Sequence, residues 1–311
     1  MGISRGIIRE IATVEVTLED EQGRRGHGEA VGIAYAGETP ETMIADIEGI
    51  RDQLKCGIGR ENLCKLLPYG GARNALDCAL WDLESRVSLR SSWERAGIAD
   101  FRPLRTAYTL GLMDETALRE AAVDYGGFTT LKIKTDAVRG VDPVAIVREA
   151  CPQARLLVDP NSSWSPGLLA RWMPRLAELN VALLEQPVHP EESAAIASLA
   201  TEIPIAADEA FTDTASIDAL VGAYQVLNIK LDKTGGLTEA LRAARYGQSL
   251  GFRLMIGCMA GSSLSMAPAM VVGQLCEFID LDGPLLQADD CSFPIRYEGD
   301  LINLPDERLW R

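Results

Sequence analysis

The chain has 311 residues, 47% hydrophobic and 24% charged, enough for one large domain and a smaller companion. Its net charge of −15 argues against nucleic acid and anionic membrane surfaces as partners, and two histidines make a Ser-His-Asp arrangement or a His-based zinc site a poor fit. The longest apolar runs, such as Met266 to Val272, are too short to span a bilayer; the start, MGISRGIIRE, reads as no signal peptide; and seven scattered cysteines without a CxxC pair point to a reducing cytoplasm.

In chain order, Ala12–Leu18 and Gly28–Ala34 read as two strands joined by the turn EDEQGRRG, followed by helical segments at Thr39–Leu54 and Ala72–Ser85. Strands first and helices afterwards predict an α+β cap over residues 1–103, with Pro103 near its boundary. From about Thr106, β-like runs alternate with helical stretches such as Ser165–Leu179 and Leu237–Leu250. The runs are Leu104–Gly111, Thr129–Thr135, Arg155–Asp159, Val181–Gln186, Ile203–Glu209, Gln225–Asp232, Phe252–Cys258 and Phe278–Asp282. Eight strands with helical crossovers fit a parallel α/β barrel over 104–290 better than an open sheet, since no glycine-rich turn follows the early strands. Residues 291–311 are expected to return to the cap.

Catalytic residues of such barrels stand at the C-terminal ends of strands. Read in order, those ends offer Lys132 and Lys134 in LKIK, Asp159 and Asn161 in LLVDPN, and Glu185 in LLEQP. Asp208 and Glu209 follow in ADE, then Asn228, Lys230 and Asp232 in NIKLDKTGG, and Asp280 and Asp282 in FIDLDGP. The two-residue period of a strand puts Lys132 with Lys134, Asn228 with Lys230 and Asp232, and Asp280 with Asp282; it favours Lys230 over Lys233 as the inward lysine. Asp159, Glu185 and Asp208 come from three successive strands and suit one hard divalent cation, Mg²⁺, which prefers oxygen ligands. A lysine desolvated among other cations can act as a base with its pKa lowered towards roughly 7–8, about 4 kcal/mol of environmental bias. Singly, each acid could be a helix N-cap, the lysines a solvated edge, and the Asp280/Asp282 pair a turn before Pro284. The joint order K-x-K, D, E, D, K, D-x-D on successive strands outweighs those readings. His27 and His189 read as structural or surface residues, and Cys258 and Met259 as ordinary strand-end residues.

Together with GARNALDCALWDLESR (Gly71–Arg86), these motifs resemble the enolase superfamily, in its muconate-lactonizing subgroup, from about Ile3 to the end. Within the subgroup the chain is similar to the dipeptide epimerases, and most to the L-Ala-D/L-Glu epimerases. The resemblance implies a modified TIM barrel, (β/α)7β, under an N-terminal α+β capping domain. It implies that Lys134 and Lys230 are acid/base lysines on opposite faces of the substrate α-carbon, with Lys132 supporting the first. It implies that Asp159, Glu185 and Asp208 hold the metal, that Asp280 and Asp282 receive the dipeptide's α-ammonium, and that Arg5 meets a glutamate side chain. Family members usually carry another strand before the loop that here begins at Ile3, so either the cap lacks its first strand or the chain start is shortened.

The reaction implied is epimerisation of an L,L-dipeptide, such as L-Ala-L-Glu to L-Ala-D-Glu in murein peptide metabolism. It would run by proton transfer through a metal-stabilised ene-diolate, since the resemblance brings with it a Lys base working beside Mg²⁺. The same core serves N-acylamino acid racemases, o-succinylbenzoate synthases and cycloisomerases, which the D-x-D pair disfavours because their substrates lack a free ammonium there. Outside catalysis, the alternative is a barrel that binds acidic metabolites. A small-molecule partner is expected, and a homo-oligomer is compatible with the sequence.

Overall fold

A computed structural model describes residues 2, 3, 6, 7 and 10–311. A short antiparallel pair, β1 (Gly2–Ile3) and β2 (Gly6–Ile7), precedes the hairpin β3 (Val14–Glu19) and β4 (Arg25–Ala30). Helices α1 (Pro40–Gly49), α2 (Arg51–Lys55), α3 (Arg60–Leu66), α4 (Gly71–Ser88) and α5 (Ser92–Arg95) follow. The expected single helix over Thr39–Leu54 is thus broken at Ile50, whose φ and ψ of −113° and 15° leave the helical range. Helix α4 lies directly on the hairpin: a Cβ at Gly28 would stand 2.1 Å from the Ala75 carbonyl oxygen, and one at Gly26 2.3 Å from that of Ala79. The sequence G-H-G is what lets helix and strand approach so closely.

The second layer is an eight-stranded parallel sheet whose strands neighbour one another in chain order. They are β6 (Tyr108–Leu110), β7 (Thr130–Lys134), β8 (Arg155–Asp159), β9 (Val181–Glu185), β10 (Ile205–Ala207), β11 (Val226–Ile229), β12 (Arg253–Gly257) and β13 (Phe278–Asp280). The Ala107 amide donates to the Ile279 carbonyl at 2.8 Å and brings the two edges together, so the sheet closes nearly into a barrel. The crossovers run through α6 (Glu115–Asp124), α7 (Asp142–Ala150), α8 (Pro166–Glu178), the single turn α9 (Ala194–Ala197), a 3₁₀ segment at Thr214–Leu220, the turn α10 (Leu231–Thr234) with α11 (Leu237–Ser249), and α12 (Ser263–Gly273). Caps and prolines start several of them: Asp114 accepts from the Ala117 amide, and Ser165 accepts from that of Leu168 with Pro166 at the first turn.

The run Leu104–Gly111 is not one strand. Leu104–Arg105 forms β5, which leaves the barrel to pair with β15 (Leu301–Ile302), itself paired with β14 (Tyr297–Glu298). The switch occurs where the Thr106 amide turns to the Asp300 carbonyl and that of Ala107 to Ile279. The end of the chain packs on α4: the Trp310 indole donates to the Cys78 carbonyl at 3.1 Å, and the Arg311 amide to Asp82 at 2.9 Å. Among the described residues no helix is long and apolar enough to cross a membrane.

Strand periodicity explains how the barrel makes a site. Ala107, Leu157, Leu183, Ala206, Val226, Met255 and Phe278 form a separate apolar cluster of inward residues. Two residues further along the same faces come Asp159, Glu185, Asp208, Asn228 and Asp280. An apolar plug therefore carries a polar layer one side-chain step above it, at the C-terminal mouth. The outward residues, Leu131, Ile133, Leu156, Val158 and Leu184 among them, join the larger core under the helices.

Candidate active site

The polar layer is buried and held by lysines. Lys132 Nζ lies 2.7 Å from Glu185 Oε2, 2.8 Å from Asp280 Oδ2 and 3.2 Å from Asp159 Oδ2. Lys134 Nζ stands 2.5 Å from the same Asp159 oxygen. On the other side, Lys230 Nζ is 2.7 Å from Asp208 Oδ2 and Lys233 Nζ is 2.7 Å from Asp208 Oδ1. Asp159, Glu185 and Asp208 are each at most 1% exposed. The strand-end order read from the sequence is thus a single cluster in space, with Lys134 and Lys230 on different carboxylates of it.

Electrostatics follow from that packing. Burial works against ionisation of Asp159, but Lys134 and Lys132 outweigh it and hold its carboxyl well below the usual range. Asp208 is held low in the same way, by Lys230 and Lys233 against its burial. Glu185 is pushed up to about 8 by burial and by the charge of Asp159. Burial would lower Lys132 and Lys230, yet their carboxylate neighbours raise both.

Neutral groups complete the mouth. Asn228 Nδ2 donates to Glu185 Oε1 at 2.8 Å, and the Asn161 amide to Asp159 Oδ1 at 2.8 Å. Gln186, with φ of 31°, uses its whole amide: Nε2 donates to the Val188 carbonyl and the Tyr224 hydroxyl, while Oε1 accepts from the backbone amides of Asp208 and Ala210. That ties the ends of β9 and β10 together and fixes Asp208 beside Glu185.

Several expectations need correction. Strand β11 ends at Ile229 and the chain turns helical at Leu231, because Thr234 bonds back to the Lys230 carbonyl and Gly235 takes φ of +70°. Asp232 therefore leaves the inward face and accepts instead from the amides of Val31 and Gly32 in the cap. Lys230 reaches Asp208, and so does Lys233, which the turn brings back to the same carboxylate from the other side. Strand β13 stops at Asp280, so strand alternation does not reach Asp282; its carboxylate accepts from the Thr109 amide at 2.7 Å. Burial and then the charge of Asp280 push Asp282 up to about 7. Arg5 lies outside the described residues. His27 contacts Thr17 on the cap hairpin and His189 is exposed in a loop turn. Burial, with Asp282 and Asp280, pushes the Cys258 thiol up to about 12, which keeps it protonated. Strand-end reasoning passes over Gln186 and Lys233; their signals are a glutamine immediately after Glu185, and a second lysine at helical rather than strand spacing.

Among the described residues no three His, Cys, Asp or Glu side chains stand together as a ready metal site, because lysine ammonium groups lie between the carboxylates. The donor chemistry nevertheless suits a hard cation. Asn161 Oδ1, Glu185 Oε2, Asn228 Oδ1 and Asp280 Oδ1 are buried acceptors without a hydrogen bond. Glu185 Oε2 has Lys132 within ion-pair distance but out of line for one. Oxygens left without a hydrogen bond at one mouth are an arrangement that a cation would satisfy.

Residues 115–308 match the family model described as enolase C-terminal domain-like. The L-Ala-D/L-Glu epimerase of Escherichia coli (strain K12) is 41% identical over 95% of this chain and 92% of its own. The N-acetyl-D-glutamate racemase of a Pseudoalteromonas species is 37% identical, over 80% of this chain and 78% of its own. An enolase family member from Agrobacterium tumefaciens with homology to dipeptide epimerases, solved with bound sodium and L-Ala-L-Glu, superposes with a TM-score of 0.97 at 39% identity, covering 100% of this chain and 95% of the other. The dipeptide epimerase of Enterococcus faecalis V583, complexed with Mg and L-Leu-L-Tyr, gives 0.90 at 26% identity, covering 98% and 92%. Motif order, barrel topology and whole-length similarity agree: this chain belongs to the enolase superfamily and, within it, to the dipeptide epimerase family of isomerases.

Proposed function

We propose that the protein epimerises L,L-dipeptides, L-Ala-L-Glu to L-Ala-D-Glu first among them, with one Mg²⁺ per site. The observation that carries this reading is the opposition of Lys134, on Asp159, to Lys230, on Asp208, across one buried carboxylate layer. Asp159, Glu185 and Asp208 would hold the cation, and Lys132 would have to give up its contacts with Asp159 and Glu185 to admit it. When bound, the cation supplies a Lewis acid against the second negative charge that a carboxylate gains as its α-proton leaves.

The protein's own residues do the rest. One of Lys134 and Lys230 takes the α-proton from one face, and the other, protonated, returns a proton to the opposite face. Lys132 keeps a positive charge beside Lys134. Asp280 and Asp282 receive the substrate ammonium, and Arg5 pairs with an acidic second side chain. In this reading residues 1–103 are the cap, 104–290 the barrel apart from β5, which pairs with β15, and 291–311 a segment belonging to the cap. Similarity to an enzyme named for N-acetyl-D-glutamate favours a second reading, an N-acylamino acid racemase with the same lysines and an acidic side-chain preference. Incubating the protein with L-Ala-L-Glu and with N-acetylglutamate in D₂O, and reading α-deuterium by mass spectrometry, tests both. Exchange of neither substrate would leave a binding barrel without catalysis.

A further inference from the structure

The two opposed lysines are supported in different ways. Lys134 is the last residue of β7 and pairs in register with Asp159 on β8, so the sheet itself places it. Lys230 lies one residue beyond β11, at the start of the four-residue turn α10. A lone helical turn has little stability of its own and takes its position from what it is tied to. One set of ties leads to the barrel, where Lys233 Nζ donates to the carbonyls of Asp208 and Asn228, and a second set leads to the cap. Asp232 is 5% exposed, and its Oδ1 accepts from Gly32 at 2.8 Å and from Val31 at 3.0 Å, some 200 residues away in sequence. Arg73 of α4 donates to the carbonyls of Thr234 and Gly235.

The cap segment that Asp232 holds is itself fixed. Just before it, Glu29 accepts from the amide and hydroxyl of Ser262, at the barrel mouth after β12. Just after it, Glu38 accepts from the Ile33 amide at 2.7 Å and from the Gly71 amide at 2.9 Å. The Val31–Gly32 backbone is therefore tied down on both sides, and one carboxylate oxygen of Asp232 joins α10 to it.

We propose that Asp232 is a positioning residue that sets Lys230, but not Lys134, by locking α10 to the Val31–Gly32 backbone of the cap. Proton transfer on one face of the substrate then depends on cap–barrel registry, while transfer on the other face depends on the barrel alone. The inference rests on the reading of Lys134 and Lys230 as bases for opposite faces.

The test measures α-deuterium incorporation into L-Ala-L-Glu and L-Ala-D-Glu separately, in D₂O, for wild type, Asp232→Ala and Asp232→Asn. Displacing a reacting group by an ångström can cost on the order of 100-fold, so Asp232→Ala should lose at least ~10-fold in exchange from one diastereomer and less than ~3-fold from the other. Asp232→Asn keeps an oxygen acceptor for both amides and should stay within ~3-fold of wild type on both. Hydrogen exchange at the Val31 and Gly32 amides should speed up in Asp232→Ala only. If that variant does not fold, Asp232→Ser, which shortens the reach to the two amides, carries the same expectation. Equal losses on both diastereomers, or none, overturn the proposal while wild type exchanges both. Wild type that exchanges neither overturns the epimerase reading and this inference with it.

Discussion

Lys132 and Glu185 meet at 2.7 Å inside the barrel mouth, and the contact joins a group raised above the ordinary lysine range to a carboxyl pushed up to about 8. Neither residue is more than 2% exposed, so water contributes little to balancing the pair. The position is one where added positive charge would be taken up strongly.

Chelation should abolish α-proton exchange and Mg²⁺ should restore it. Thermal unfolding provides a check that needs no turnover: a cation that binds the folded state alone adds about 2.7 kcal/mol at 100 times its Kd. A Tm unmoved by Mg²⁺, with full activity in excess chelator, would remove the metal from the reading.

Lys134→Ala and Lys230→Ala should each stop epimerisation, losing about 100-fold or more in kcat, the lower end of what a general base contributes. Each should still exchange the α-proton of one diastereomer through the lysine that remains. If Lys230→Ala epimerises normally, Lys233 on the same carboxylate carries the chemistry instead.

N-acetylating the dipeptide should cost at least about 100-fold in kcat/KM, roughly 2.7 kcal/mol, because Asp280 and Asp282 then face no ammonium. Asp282→Asn should weaken the free dipeptide and narrow its advantage over the acetylated one. N-acylamino acids turned over as fast as dipeptides would make the protein a racemase.

Asp77 offers a pH test away from the site. It is fully buried in α4, accepts from the amide and hydroxyl of Thr238, and is pushed up by burial from 3.8 to about 6. Its folded pKa thus lies above its unfolded one, so the folded state binds the extra proton. Its contribution to stability is complete below about pH 4 and is lost as the pH rises through 6, by roughly 2–3 kcal/mol. Denaturant unfolding of wild type and Asp77→Asn at pH 4.5 and 7 should show the variant gaining on wild type as pH rises. A difference constant with pH would mean that Asp77 titrates normally.

The barrel is legible in the sequence because its signals are local. Alternation sets Leu131 and Ile133 against Lys132 and Lys134, and the strand ends at Asp159 and Glu185 fall where the runs of apolar residues end. The misplaced residue lies just past a strand end. Extrapolation carries Asp232 along a strand that stops three residues earlier, and the stop is set by Gly235, Thr234 and contacts from Arg73. Asp282 also lies past the end of its strand, β13, but its carboxylate stays at the barrel mouth, on the Thr109 amide. Ion pairing between Lys132 and three carboxylates is illegible, because it joins residues up to 148 apart and depends on the strands closing into a ring.

At Gly257 on β12, a Cβ would stand 2.7 Å from Asn228 Oδ1 and 3.1 Å from Lys230 Cε. The bare backbone there is the bed on which the aliphatic stem of the lysine lies. A lysine side chain gives up as much as about 2 kcal/mol of rotamer entropy when it is immobilised. Here that loss falls when the chain folds, before any substrate arrives, and the reach of the ammonium is already chosen. A methyl group at position 257 would send the stem into another rotamer and leave the ammonium to search for its place on every turnover.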